Sequence, residues 1–180
     1  MISWSLALEF IIPGQPIPKA RPRFARTRAG VRTYSTGRTA AFESKVALFA
    51  ASGHRWKGYL APAGVPVRVD IVAVFERPQR LTRKSDPDTL LPHAKRPDID
   101  NVQKAILDGL SKAAARIYVD DAQVQVTRVE KFYTERGGHP RTMVRIYIPT
   151  EDRAGDEVQK MDARAARADT EGRKRTQSPR

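Results

Sequence analysis

The sequence predicts a small mixed α/β (α+β) domain of two layers, a mostly antiparallel or mixed sheet packed with helices. Three observations carry that expectation. Runs at 4–12, 67–75, 123–133 and 142–148 alternate apolar and polar residues, or place apolar residues on one face, with the period of a strand. Two stretches, 39–51 and 100–112, instead space their apolar residues three and four apart, as a helix does. The length, 180 residues, points to one domain of ordinary size, able to bury roughly 70% of its unfolded surface without staples.

The elements follow in order. Trp4, Leu6, Leu8, Phe10 and Ile12 form the first strand, closed by Pro13-Gly14. Residues 15–38 carry prolines at 16, 18 and 22 and show no regular period. Thr39 to Ala51 reads as a helix with Phe42, Val46 and Phe49 on one face, and Gly53 is its expected stop. Val67 to Phe75 reads as a central strand. Residues 77–97 read as a long polar loop, of a kind more often functional or mobile than idle. Asp100 to Lys112 reads as a helix whose stripe is Val102, Ala105, Ile106 and Leu110. Ile117 to Val119 is a candidate short strand. Gln123 to Tyr133 is a further strand with Val124 and Val126 inward, and the shift of phase at Val129 predicts a bulge. Gly137-Gly138 turns the chain into Thr142 to Ile148, where Val144, Ile146 and Ile148 share a face. The expected organisation is a folded domain over 1–150 and a polar, disordered or weakly helical tail over 151–180.

Composition narrows the function. The absence of cysteine excludes disulfides, thiol nucleophiles and Cys-ligated zinc, and the three histidines, at 54, 93 and 139, have no zinc-site spacing. No apolar run is long enough to span a bilayer, and residues 1–12 make a poor signal peptide, so the expected location is cytoplasmic, with no membrane partner. The net charge is +13. The last thirty residues hold eight Lys/Arg against seven Asp/Glu, a net of +1, so +12 resides in the first 150. A positive excess on a folded body favours a nucleic-acid footprint over a loose basic arm.

Within that basic body one stretch is acidic. It reads Arg96-Pro97-Asp98-Ile99-Asp100-Asn101, then Lys104, then Asp120-Asp121-Ala122-Gln123. Carboxylates at the contact surface for a polyanion need a cation between them, and Mg²⁺ binds through a few carboxylates plus substrate phosphate. The pattern predicts metal-assisted cleavage of a phosphodiester. A plainer role exists for each acid. Asp100 with Gln103 fits a helix capping box, and Asp120-Asp121 fits a turn. One cap explains one aspartate of a pair, however. The intervening helix is long enough to bring both pairs to one end of the layer. In an extended segment Asp120 and Asp121 point to opposite sides, so only one of them faces a metal directly. Lys104, one turn beyond Asp100, either forms an i,i+4 ion pair or reaches the scissile phosphate. Asp108 continues that face in a structural role. His93 reads as a surface residue rather than a general base.

The segment Asp98-Ile-Asp100-Asn101-Val-Gln-Lys104-Ala-Ile-Leu-Asp108, followed by Asp120-Asp121-Ala-Gln-Val124, resembles the RusA family of Holliday-junction resolvases. Pro16-Ile-Pro18-Lys19-Ala-Arg21-Pro22-Arg23 is similar to that family's basic N-terminal stretch. The resemblance spans about residues 5–148; Ala113 to Arg116 fill the gap between the acidic pairs, which leaves the alignment of 111–117 open. It implies a RusA-like fold, a bacterial or phage-encoded, nucleoid-associated protein, a homodimer, and Mg²⁺ as cofactor with Mn²⁺ able to substitute. By position it makes Asp98, Asp100 and Asp121 the essential, metal-binding carboxylates, Lys104 the catalytic lysine and Asp120 a less certain ligand. Asn101 falls on the phosphate side. The implied activity is resolution of four-way DNA junctions by paired symmetric nicks, in recombination and repair.

Between residues 19 and 38 lie Lys19, Arg21, Arg23, Arg26, Arg28, Arg32 and Arg38, with no acid among them. Counterion release rewards such clustering, so Lys19, Arg21, Arg23, Arg26 and Arg28, with Arg96 and Asn101, are the expected DNA contacts. Gly30 and Gly37 predict a mobile segment that orders on DNA. Two rivals remain open at this stage. One is a nuclease acting on other branched DNA such as flaps or forks. The other is a non-catalytic DNA-binding protein whose aspartates only cap helices.

Overall fold

A computed structural model describes residues 2–20, 23–27, 30–34, 37–53 and 58–150, with the backbone alone over 23–27 and 31–34. The elements are β1 (Trp4–Pro13), β2 (Arg23–Thr27), β3 (Gly30–Tyr34), α1 (Gly37–Ser52), β4 (Val67–Phe75), β5 (Leu91–Pro92), α2 (Ile99–Leu110), β6 (Val124–Tyr133) and β7 (Arg141–Pro149). Single 3₁₀ turns lie at Gln79–Leu81 and Asp121–Gln123. The main sheet has five strands in the order β1-β7-β4-β6-β5 and does not close. It is mixed: β4 and β6 run parallel, and the other pairs are antiparallel. Both helices pack on one face, so the expected two-layer α/β class is the observed one.

Alternation decides which face each strand buries. Leu8, Phe10 and Ile12 of β1, Val67, Val69, Ile71 and Ala73 of β4, and Val144 and Ile146 of β7 form one continuous core. Phe42, Val46 and Ala50 of α1, with Val102, Ile106 and Leu110 of α2, close it from the other side. At roughly 1.5–3 kcal/mol for each large side chain fully removed from water, this layer dominates the stability. The predicted bulge in β6 is present. Val67 lies opposite Val124, but Arg68 lies opposite Val126, which leaves Gln125 as the extra residue. The bulge corrects one expectation: Val126 falls in the phase of Arg68, on the sheet face away from the helices, while Val129 pairs with Ile71 on the core face.

Two segments differ from the sequence expectation. Residues 23–34 form an antiparallel hairpin, β2–β3, separate from the main sheet. This hairpin pairs with no strand of the main sheet, and its sequence carries no regular apolar period. The 77–97 stretch is not structureless. It contains a 3₁₀ turn and β5, and Arg77 organises it from inside. The Arg77 guanidinium is buried and donates to the carbonyls of Thr134 (2.6 Å), Pro87 (2.9 Å), Leu81 (3.3 Å) and Thr89. The candidate strand at 117–119 is reduced to a single parallel bridge between Tyr118 and Ala61. The tail, 151–180, lies outside the described residues.

Candidate active site

The site is built on α2 and on the turn that precedes β6. Residues 100, 104 and 108 fall one turn apart on α2 and so share a face. Asp100, Lys104 and Asp108 form one wall of an open cleft of about 390 Å³, and Asp121, Val124 and Thr127 form the other. The bulge matters here: by adding Gln125 it brings Thr127 into phase with Val124 on the cleft side.

The acids are not consumed by capping. Asp98 is the N-cap residue of α2 by backbone geometry, yet its side chain makes no cap hydrogen bond. The expected capping box at Asp100 and Gln103 is absent, and Asp100 sits in the first helical turn. The box forms instead at Asp120 and Gln123. There the Asp120 carboxylate accepts from the Ala122 N–H at 2.8 Å, and the Gln123 Oε1 accepts from the Asp120 N–H at 3.0 Å. Asp120 is thereby tied to its own turn. Among the described residues the carboxylates of Asp98, Asp100 and Asp121 take part in no hydrogen bond or ion pair, and all three are exposed.

The two acidic pairs do not gather at one end of the layer. Pro97 is held near the end of β6, where the Lys131 Nζ donates to the carbonyls of Pro97 (2.5 Å) and Lys95 (2.8 Å). Asp121 lies immediately before the start of β6. Asp100 and Asp121 both line the cleft, whereas Asp98 lines a second pocket of about 350 Å³ with Pro18, Lys19, Arg96, Pro97 and Asn101. Among the described residues no three acidic or histidine side chains converge closely enough to cage a metal ion. That arrangement still fits Mg²⁺, which keeps several waters and needs only one or two protein carboxylates beside substrate phosphate.

Lys19 differs most from its expected role. Its Nζ pairs with Asp108 at 2.6 Å and with Glu43 of α1, and Lys112 approaches Glu43 at 3.7 Å. Burial alone would lower the Lys19 ammonium pKa, but its bonds to Asp108 and Glu43 outweigh this and hold it above the ordinary lysine value. Its N–H also donates to the Asn101 carbonyl at 2.8 Å. Lys19 therefore fastens the proline-rich segment to both helices and neutralises Asp108 at the edge of the cleft. Arg96 and Asn101 line the pocket beside Asp98. Arg21 and Arg28 lie outside the described residues, as do the side chains of Arg23 and Arg26.

Two residues to which sequence reasoning assigned no role support the site. Tyr118 is buried beneath it, and its hydroxyl donates to the Leu107 carbonyl at 3.1 Å. Burial pushes its phenol up to about 12, and the nearby charges of Asp121 and Asp108 push in the same direction. Lys131 sits in the core phase of β6, where a charged residue needs a local partner; that misfit in phase is the signal that could have marked it.

Comparison with known proteins places this architecture. The sequence profile of the family "Endodeoxyribonuclease RusA" matches residues 13–147, which is most of the chain. The chain belongs to the RusA family. The match covers every element from the end of β1 to β7 and both acidic pairs. A RusA-family relative, the crossover junction endodeoxyribonuclease rusA of Enterobacteria phage 82, is 31% identical over 123 residues, covering 68% of this chain and 83% of its own. A second relative, the uncharacterized protein YqaN of Bacillus subtilis (strain 168), is 31% identical over 145 residues, covering 77% of this chain and 94% of its own.

Proposed function

We propose that this member of the RusA family is a divalent-metal-dependent endonuclease that resolves four-way DNA junctions by paired symmetric nicks, as a homodimer, in recombination and repair. The observation that carries the reading is the cleft itself. Two carboxylates with no partner among the described residues, Asp100 and Asp121, line one cleft with Lys104 in a protein of net charge +13.

In this reading Asp100 and Asp121 would hold Mg²⁺, or Mn²⁺ in its place. Asp98 completes the essential set from the adjoining pocket, and Asp120 contributes through the turn it caps. The bound metal supplies a water of lowered pKa and neutralises phosphate charge. Lys104, exposed and without a described partner, stabilises negative charge developing on the scissile phosphate. Arg96 and Asn101 receive the adjacent phosphate, and the hairpin bearing Arg23 and Arg26, flanked by Arg21 and Arg28, tracks the backbone of a junction arm. Water attacks phosphorus and the 3′-oxygen departs, which leaves 5′-phosphate and 3′-hydroxyl ends. A two-fold dimer matches a substrate with two equivalent strands.

The test is cleavage of a labelled synthetic four-way junction with and without Mg²⁺, beside Asp100→Asn, with flap and fork substrates in parallel. Symmetric nicks that need the metal and vanish in a variant still able to bind DNA are expected. Binding without cleavage in Mg²⁺ and in Mn²⁺ would reduce the protein to a DNA-binding module. Preferred cutting of flaps would reassign its substrate.

A further inference from the structure

Gln123 lies outside the cleft, yet its side-chain amide is fully engaged. The Oε1 accepts from the N–H groups of Val119 (2.9 Å) and Asp120 (3.0 Å). The Nε2 donates to the carbonyls of Pro62 (2.7 Å) and Val65 (2.9 Å). One side chain thus clamps the 119–121 backbone to the loop that leads into β4. The Asp121 carboxylate has no hydrogen-bond or ion-pair partner among the described residues. Its place in the cleft wall is therefore set by the backbone that carries it. That backbone belongs to a 3₁₀ turn of three residues, Asp121–Gln123, which is too short to be stable alone. The turn is further restrained by the Gln123 N–H donating to the Asp120 carbonyl at 3.1 Å and by the Asp120 cap, which belongs to the same reciprocal box as Gln123.

We infer that Gln123 is a positioning residue: its amide fixes the Asp120–Asp121 turn against the 62–65 loop and so holds Asp121 in the wall of the cleft that Asp100 also lines. The inference rests on the proposed metal site. It adds that the site's geometry depends on a neutral side chain that touches neither metal nor DNA. An amide is required because the clamp needs both acceptance and donation. Methionine has nearly the same length but no donor and only a weak acceptor. Outer contacts that orient ligands commonly govern metal affinity by 10–100-fold.

The experiment is titration of the DNA-free protein with Mn²⁺, followed by spin resonance of the free ion, for the wild type, Gln123→Met, Gln123→Asn and Asp121→Asn. All are held well below their thermal midpoints. Amide exchange is read at Val119 and Asp120, and junction binding is measured without metal. The expected result is Mn²⁺ binding weakened by roughly 10-fold or more in both Gln123 variants, with faster exchange at those two amides and junction binding within about twofold of wild type. A lower thermal midpoint with an unchanged Mn²⁺ titration would make Gln123 merely structural and overturn the inference while leaving the site intact. An Asp121→Asn protein that binds Mn²⁺ and cleaves like wild type would remove the metal site, and the inference with it.

Discussion

Arg77 and His93 both carry positive or titratable groups in a DNA-binding protein, and both are used inside the fold. Arg77, itself buried, donates to the carbonyls of Thr134, Leu81, Pro87 and Thr89. Arg77→Met should cost about 2–4 kcal/mol, because those carbonyls lose their partners while the volume is kept; urea unfolding measures it, and cutting within 79–90 by a protease should speed up. His93, expected at the surface, is 7% exposed and lies between the rings of Phe75 and Tyr133, at 4.7 and 4.2 Å. Burial lowers its pKa below the ordinary 6.5, and the Lys131 charge adds to the effect. The unfolded chain therefore takes up the proton first as pH falls. The stability that His93 contributes is complete above about pH 6.5 and is lost as pH drops through its folded value. His93→Phe should lose less stability between pH 7.5 and pH 5 than wild type does, in paired urea titrations. Equal losses would show that the ring titrates alike in both states.

At the scale of elements, the contact between α1 and α2 sets where Asp100, Lys104 and Asp108 stand. At Gly109 of α2 the backbone abuts α1. A Cβ there would lie 2.6 Å from the Val46 Cβ and 2.9 Å from the Glu43 carbonyl oxygen. Alanine favours a helix over glycine by about 1 kcal/mol, but this overlap involves backbone that cannot step aside, so Gly109→Ala should destabilise by about 1–3 kcal/mol net. A gain in thermal midpoint would refute the close approach. The two helices, and the strands that cover the core, were legible in the sequence because each has a buried face and therefore a period. The bulge was legible through the phase change between Val126 and Val129. The β2–β3 hairpin and the order within 77–97 were not. The first carries no regular apolar period, and the second is held by side chain to carbonyl bonds that leave no repeating pattern. The residues of the cleft were legible because acids are anomalous in a basic chain. The clamps Gln123 and Tyr118 were not, since nothing in the sequence says which carbonyls they meet, and Lys131 showed only as a charge in the core phase of β6.

For the whole molecule the question is where the charge acts. Affinity for DNA depends on how many phosphates are neutralised, and that number sets the slope of log affinity against log salt. Of the net +13, residues 151–180 contribute only +1, from eight cations mixed with seven anions. The family match ends at residue 147, before this segment begins. A cation with an acid close by in the chain displaces few counterions, because its field is already compensated within a Debye length. The basic residues between 19 and 38 have no such neighbours in sequence. Removing 151–180 should therefore leave the salt slope for junction binding unchanged within error and junction cleavage within about twofold. Replacing Arg21 and Arg23 together by glutamine, in the full-length chain, should flatten the slope by up to about two ion equivalents, since each lost phosphate contact removes about 0.9 from it. The two measurements discriminate between a footprint on the folded body and one on the tail. A flatter slope on truncation, with the arginine pair silent, would move the DNA-binding surface to residues 151–180.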